Sequence, residues 1–127
     1  MSEFTHNDYK TASTNQIVHT AGISKGLLFH YFTNKKELYL YLYDYCAEVI
    51  LNDFFGEIDY KQKDILLRFR QMLLIKFQLM NKYPLIFNFL IRANTEESPE
   101  VKIELDNRNQ TILQESYQKM FTDADVS

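Results

Sequence analysis

The chain has 127 residues and a formal net charge of −3, with 46% hydrophobic and 24% charged residues. That balance is ordinary globular composition, which argues against a disordered chain and leaves room for one modest core or two small ones. A single cysteine, Cys46, excludes an internal disulfide and a cysteine-based zinc cluster, and no apolar run is long enough to cross a bilayer. Only three glycines and two prolines occur, so turns are few and elements long, which favours an all-α chain.

Met1–Ala12 is polar, with Phe4 and Tyr9 as its apolar points. "STNQ" then forms a capping box, Ser13 capping a helix and Gln16 reaching back. The helix "TNQIVHTA" is expected to bury Ile17, Val18 and Ala21 on one face, and Gly22 ends it as a residue able to take positive φ. Ser24 caps a second short helix, "KGLLFHYF", whose Leu28 and Phe32 face inward. Asn34 and Glu37 make another box, "NKKE", opening a long helix that meets no turn signal before Gly56. "LYLYLYDY" alternates as a strand does. The box in front of it, and the continuing pattern Leu38, Leu42, Tyr45, Val49 and Leu51, make it a buried helix instead.

"IDYKQ" is a break. Lys63–Lys82 is expected to be helical, with Ile65, Phe69, Met72, Leu73, Lys76 and Met80 near one stripe. Pro84 opens "PLIFNFLIRA", since proline suits a first turn. "NTEESPE" is a loop. Ser98 and Pro99 start a last helix reaching about Met120, with Val101, Leu105, Ile112 and Tyr117 inward. The sum is about seven helices.

Charge is unevenly spread. Residues 1–36 carry four lysines against two carboxylates, while the remaining ten basic residues face fifteen acidic ones. The three histidines, His6, His19 and His30, also lie in the basic part. Two short helices joined by a glycine-containing turn form a helix-turn-helix, whose second helix enters the DNA major groove. Lys25 stands at the exposed start of that helix, and Gly26 lets backbone approach DNA closely. Phe29 and Tyr31 suit sugar and thymine-methyl surface, and Lys35 and Lys36 suit phosphate at the start of the next helix.

The stretch "STNQIVHTAGISKGLLFHYFTNKKEL" resembles the DNA-binding motif of the TetR family of bacterial transcriptional regulators, over Ala12 to Leu38. The resemblance implies that Ser13 and Thr14 cap the first motif helix and touch a phosphate, while Asn15 projects toward the groove. Lys25, Gly26 and Leu27 would face bases, Phe29 and Tyr31 backbone and sugar, and Lys35 a phosphate. Leu27 stands where threonine is frequent, Phe29 replaces a frequent tyrosine, and Asp8 takes the place of a usual glycine. Family members begin with a full helix, to which only Glu3–His6 corresponds here, and finish with two further long helices that form most of a dimer interface. The sequence, which stops at "MFTDADVS", is therefore expected to be incomplete at both ends.

His30 is divided between a half-buried helix histidine and a contact to base or phosphate; His6 and His19 are expected to be solvated, and no metal spacing links them. Cys46 is expected in the core. The aromatics and methionines of the second part are core residues first. The resemblance also implies an inducer cavity among them, for which Tyr45, Phe54, Phe69, Met72, Phe77, Met80, Phe87 and Arg92 are the candidates, with Arg68 a further polar anchor. No phosphate loop, nucleophile elbow or metal pair suggests an enzyme or a cofactor.

The expectation is an all-α regulator of the cytoplasm, with a DNA-binding domain over residues 1–36 and a ligand-binding and dimerisation domain over 37–127. Its partners would be double-stranded DNA with a near-palindromic operator, a small apolar or amphipathic inducer, and a second copy of itself. The alternative is a helical ligand-binding or protein-interaction module that has lost DNA binding.

Overall fold

The computed structural model describes residues 1–121, and every regular element there is a helix. In order these are α1 (Ser2–His6), α2 (Thr14–Ala21), α3 (Lys25–Tyr31), α4 (Lys35–Glu57), α5 (Ile65–Lys82), α6 (Pro84–Asn94) and α7 (Pro99–Met120). Residues 122–127, the end of the expected second domain, lie outside the described residues.

The helix starts are set by side chains. Ser13 Oγ accepts from Gln16 N, Ser24 Oγ from Leu27 N, and Asn34 Oδ1 from Glu37 N, each satisfying an amide the helix leaves unpaired. The boxes are only half closed as expected. Gln16 donates its side-chain amide to Thr20, and Glu37 accepts from Thr33 N, one residue before the cap. Gly22 has φ 70°, and Ile23 N reaches back to Val18 O, so α2 ends in the left-handed turn that its glycine permits.

The main core joins the motif to the later helices. Phe4, Tyr9, Leu28, Tyr39, Cys46, Phe89, Val101 and Leu105 belong to one buried cluster, against which Ile17, Val18 and Phe32 pack. Its centre is aromatic. Tyr39 of α4 meets Phe4 of α1 at 5.0 Å, Tyr9 at 5.2 Å and Phe89 of α6 at 5.6 Å between ring centroids. The first two meet edge-on and the third is tilted, and such ring pairs add to the burial of their area. Burial drives the Tyr39 phenol well above its usual range and pushes the Cys46 thiol up to about 11, which keeps Cys46 an unreactive core residue. A second cluster of Ile58, Met72, Ile75 and Leu79 holds α5 against the end of α4.

Four expectations about burial are corrected. Ala21, Tyr45 and Tyr117 are exposed, Tyr45 by 49%. The buried face of α5 is Arg68, Met72, Ile75 and Leu79, turned about one residue from the stripe expected through Phe69, Leu73 and Lys76. Arg68 causes that turn. Its guanidinium is fully buried and donates to Gln62 O at 2.7 and 3.1 Å, Tyr60 O at 3.1 Å and Met120 O at 3.2 Å. It thereby fixes the α4–α5 loop and the end of α7, and carries Phe69 and Leu73 outward, 43% and 58% exposed.

Candidate nucleic-acid interface and apolar cavities

α3 is held by one side and open on the others. Leu28 is its buried residue, while Lys25, Gly26, Leu27, Phe29, His30 and Tyr31 are all exposed, Tyr31 by 71%. The His30 and Tyr31 rings meet edge-on at 5.1 Å, so the two form a small aromatic platform at the surface. In front of α3, Asn15 is exposed and Ser13 and Thr14 are half-buried. A Cβ at Gly26 would meet nothing closer than Ser24 Oγ, at 4.0 Å. Packing within the protein therefore does not require glycine there, although glycine costs a helix about 1 kcal/mol relative to alanine. The open space lies on the outer side of the helix.

The basic groups divide differently from expectation. Lys35 is directed inward: its ammonium donates to Tyr9 O at 2.6 Å and to Lys10 O and Ala12 O at 3.3 Å, and stands 4.5 Å from the centroid of the Tyr9 ring. Three donors and three carbonyls leave no proton for a phosphate. Lys36 pairs with Glu104 of α7 at 2.7 Å, and Glu104 is in turn 3.7 Å from Arg108, which reaches Asp44 of α4 at 2.8 Å. These pairs are partly solvent-exposed and contribute little each, but they connect α4 to α7. Lys10 and Lys25 remain as the exposed lysines of the motif.

The role of Lys35 is structural. Lys35→Ala is expected to lower unfolding stability by about 1–3 kcal/mol, since its carbonyls lose a charged donor. It should leave the salt dependence of DNA binding unchanged. Urea unfolding and binding isotherms at several salt concentrations check both. Unaltered stability with a shallower salt slope would restore the phosphate contact.

Carboxylates outside the expected contact set tie the motif down. Glu3 Oε1 accepts from Ser13 N at 2.9 Å and from Asn7 Nδ2 at 3.1 Å, clasping α1 to the start of α2. Asp8, in the place of the family's glycine, accepts from Thr11 N and Thr11 Oγ1, and these bonds hold its carboxyl below the usual range. Glu96, between α6 and α7, accepts from Tyr9 N at 2.9 Å. Tyr9 is thus gripped from two sides, by Lys35 and by Glu96. A carboxylate facing a backbone amide on another segment carries no local sequence signal.

Three cavities adjoin one another among α4–α7. The first, of 390 Å³, is lined by Tyr43, Ala47, Ile50, Leu51, Leu90, Asn94, Asn109, Ile112 and Leu113. The second, 220 Å³, shares Ile50 and Leu51 with it and adds Phe54, Phe55, Phe87 and Met120. The third, 500 Å³, shares Leu90 and Asn94 with the first and adds Leu73, Lys76, Phe77, Met80 and Ile91. Of the expected ligand contacts, Phe54, Phe77, Met80 and Phe87 line these spaces. The others are corrected. Met72 is packed in the second core, and Phe69 lies edge-on to Phe121 at 5.7 Å. Tyr45 is at the surface, and Arg92 lines a separate polar cleft with Asp8, Lys10 and Glu97. Arg68 donates to backbone carbonyls and lines none of these three cavities.

Among the described residues no three His, Cys, Asp or Glu side chains are placed to hold a metal ion, and no helix is long and apolar enough to cross a membrane.

A capped helix, a left-handed glycine turn and a second helix exposing its N-terminal residues define a helix-turn-helix protein of the kind that reads DNA. Residues 1–42 match the family model described as bacterial regulatory proteins, tetR family. This N-terminal third is thus similar to the DNA-binding part of the TetR family's transcriptional regulators. No curated protein and no solved structure matches it.

Proposed function

We propose that the protein is a ligand-responsive repressor that works as a homodimer in the cytoplasm. The two α3 helices enter successive major grooves of a near-palindromic operator, about one DNA turn or a multiple of it apart. A small apolar or amphipathic molecule in the cavities among α4–α7 releases it. The observation that carries the DNA-binding half is the exposure of Lys25, Gly26 and Leu27 on a helix whose buried residue, Leu28, locks it to the core. The groove contacts proposed are Lys25, Gly26 and Leu27 to bases, Phe29, His30 and Tyr31 to sugar and backbone, and Ser13, Thr14 and Asn15 at the adjacent strand.

Association of two copies is supported by apolar side chains left outside on α5 and α7, among them Leu66, Leu73, Phe77, Leu113 and Tyr117. Coupling is supported by the shared core. Tyr43 of α4 lines the first cavity, and the same helix carries Tyr39, against which Phe4 and Tyr9 pack. A ligand that shifts α4 therefore shifts the seat of the motif. Such coupling is typically ~1–3 kcal/mol.

Lys25→Ala is expected to weaken binding to the DNA upstream of the protein's own gene several-fold, to alter sequence preference, and, with one cation fewer in the groove, to reduce the salt slope by at most about 0.9. Fluorescence anisotropy at graded salt measures all three. The inward use of Lys35 and Lys36 favours a second reading, a helical module that no longer binds DNA. Equal, weak binding of wild type and Lys25→Ala to every duplex would decide for it.

A further inference from the structure

The first cavity is apolar except at one end, where three side chains form a chain of hydrogen bonds. The Tyr43 hydroxyl of α4 donates to Asn109 Oδ1 of α7, and Asn109 Nδ2 donates to Asn94 Oδ1 of α6 at 3.1 Å. The buried phenol fixes the direction. Tyr43 is 3% exposed, and with the amides reversed its proton would face no acceptor, a costly arrangement in a dry site. Burial also raises the Tyr43 pKa, so the phenol keeps that proton. The chain therefore ends in a donor: Asn94 Nδ2 has no partner among the described residues, and Asn94 borders both the first and the third cavities.

We propose that this Asn94 amide is the specificity-determining group of the ligand cavity, and that it selects a neutral molecule with an apolar body and a single hydrogen-bond acceptor, such as a ketone, ester or lactone carbonyl. No charged side chain lines the first cavity; Lys76 lines the second and third but not this one. A carboxylate placed there would lose water without gaining a cation, and an ammonium would find no anion. A carbonyl needs one donor only, and Asn94 supplies it while Ile50, Leu51 and Leu90 enclose the hydrocarbon. Because the donor belongs to a chain that ends on Tyr43, the ligand's acceptor is linked to α4. The inference rests on the reading of these cavities as the ligand site.

The test displaces Nile red from the purified chain with four probes of similar length: methyl hexyl ketone, octane, octanoate and octylamine. Asn94→Asp keeps the acceptor toward Asn109 and removes the donor. It should weaken the ketone roughly tenfold, the value of one hydrogen bond, leave octane unchanged, and strengthen octylamine. Asn94→Leu, at a position open to solvent, should weaken the ketone alike without the gain for amine, and covers the case in which the aspartate variant does not fold. Far-UV circular dichroism confirms folding of each. A ketone loss no larger than the octane loss, or octanoate as the best probe of the wild type, overturns the assignment while the cavity reading stands. Failure of Nile red and all four probes to bind overturns both.

Discussion

Gly26→Leu is expected to abolish specific DNA binding, a loss of about a hundredfold or more, while making the isolated protein slightly more stable. The two halves of that result come from different places. Within the protein, a Cβ at position 26 has open space, its nearest neighbour being Ser24 Oγ at 4.0 Å. Leucine is a far better helix former than glycine, and the gain amounts to roughly 0.5–1 kcal/mol in an exposed helix. On DNA, four extra carbons project from the first turn of α3, where the N-terminal residues of a recognition helix approach base edges. They would hold Lys25 and Leu27 off the groove, and a displaced bidentate contact alone removes ~1–3 kcal/mol. Thermal unfolding and anisotropy with operator DNA read the two effects separately. Reduced stability would mean that glycine is needed for folding. Unimpaired binding would mean that α3 does not face the groove.

Arg68→Leu is expected to lower unfolding stability by about 3 kcal/mol or more, the largest effect of any single change considered. Replacing buried polar groups by apolar ones is sometimes neutral, but only when both partners are removed. Here the partners among the described residues include the backbone carbonyls of Tyr60, Gln62 and Met120, which no side-chain substitution deletes. They would remain dry and unpaired. The α4–α5 loop would lose its conformation and α7 its tether at Met120, so the second core of Ile58, Met72, Ile75 and Leu79 would loosen. Urea unfolding followed by circular dichroism gives the number. A difference below ~0.5 kcal/mol, the size of an ordinary surface change, would show that these bonds do not hold the loop.

The motif was legible in the sequence because its instructions are local. Ser13, Gly22, Ser24 and Asn34 each act on a backbone group within a few residues, and each does so in the structure. The strand-like run "LYLYLYDY" was resolved by the cap before it, and α4 does continue to Glu57. The errors arose where a distant partner decides. In the sequence Lys35 looks like a free cation, because the carbonyls of Tyr9, Lys10 and Ala12 lie about 25 residues away along the chain, though they lie within bonding distance in space. The inward face of α5 was misplaced because apolar periodicity cannot score Arg68, a charged residue whose burial depends on three carbonyls from two other segments.

The cavities are hidden in the sequence for a related reason. Bulk and aromaticity point to Phe69, Met72 and Tyr45. A cavity forms instead where side chains are too small or too few to fill the gap between helices, so aliphatic residues such as Ala47, Ile50 and Leu90 line it. Asn94 and Asn109 carry no periodic signal at all. Their importance comes from meeting each other, and Tyr43, across three helices.

The central claim is that α3 is the surface that meets DNA. Its most direct test is an amide chemical-shift map of isotope-labelled protein titrated with duplex DNA at low salt. The account predicts shifts concentrated on Thr14, Asn15 and Lys25–Tyr31, with α5 and α6 unmoved at their exposed faces. Shifts centred on α5–α7, or none anywhere at saturating duplex, would contradict it.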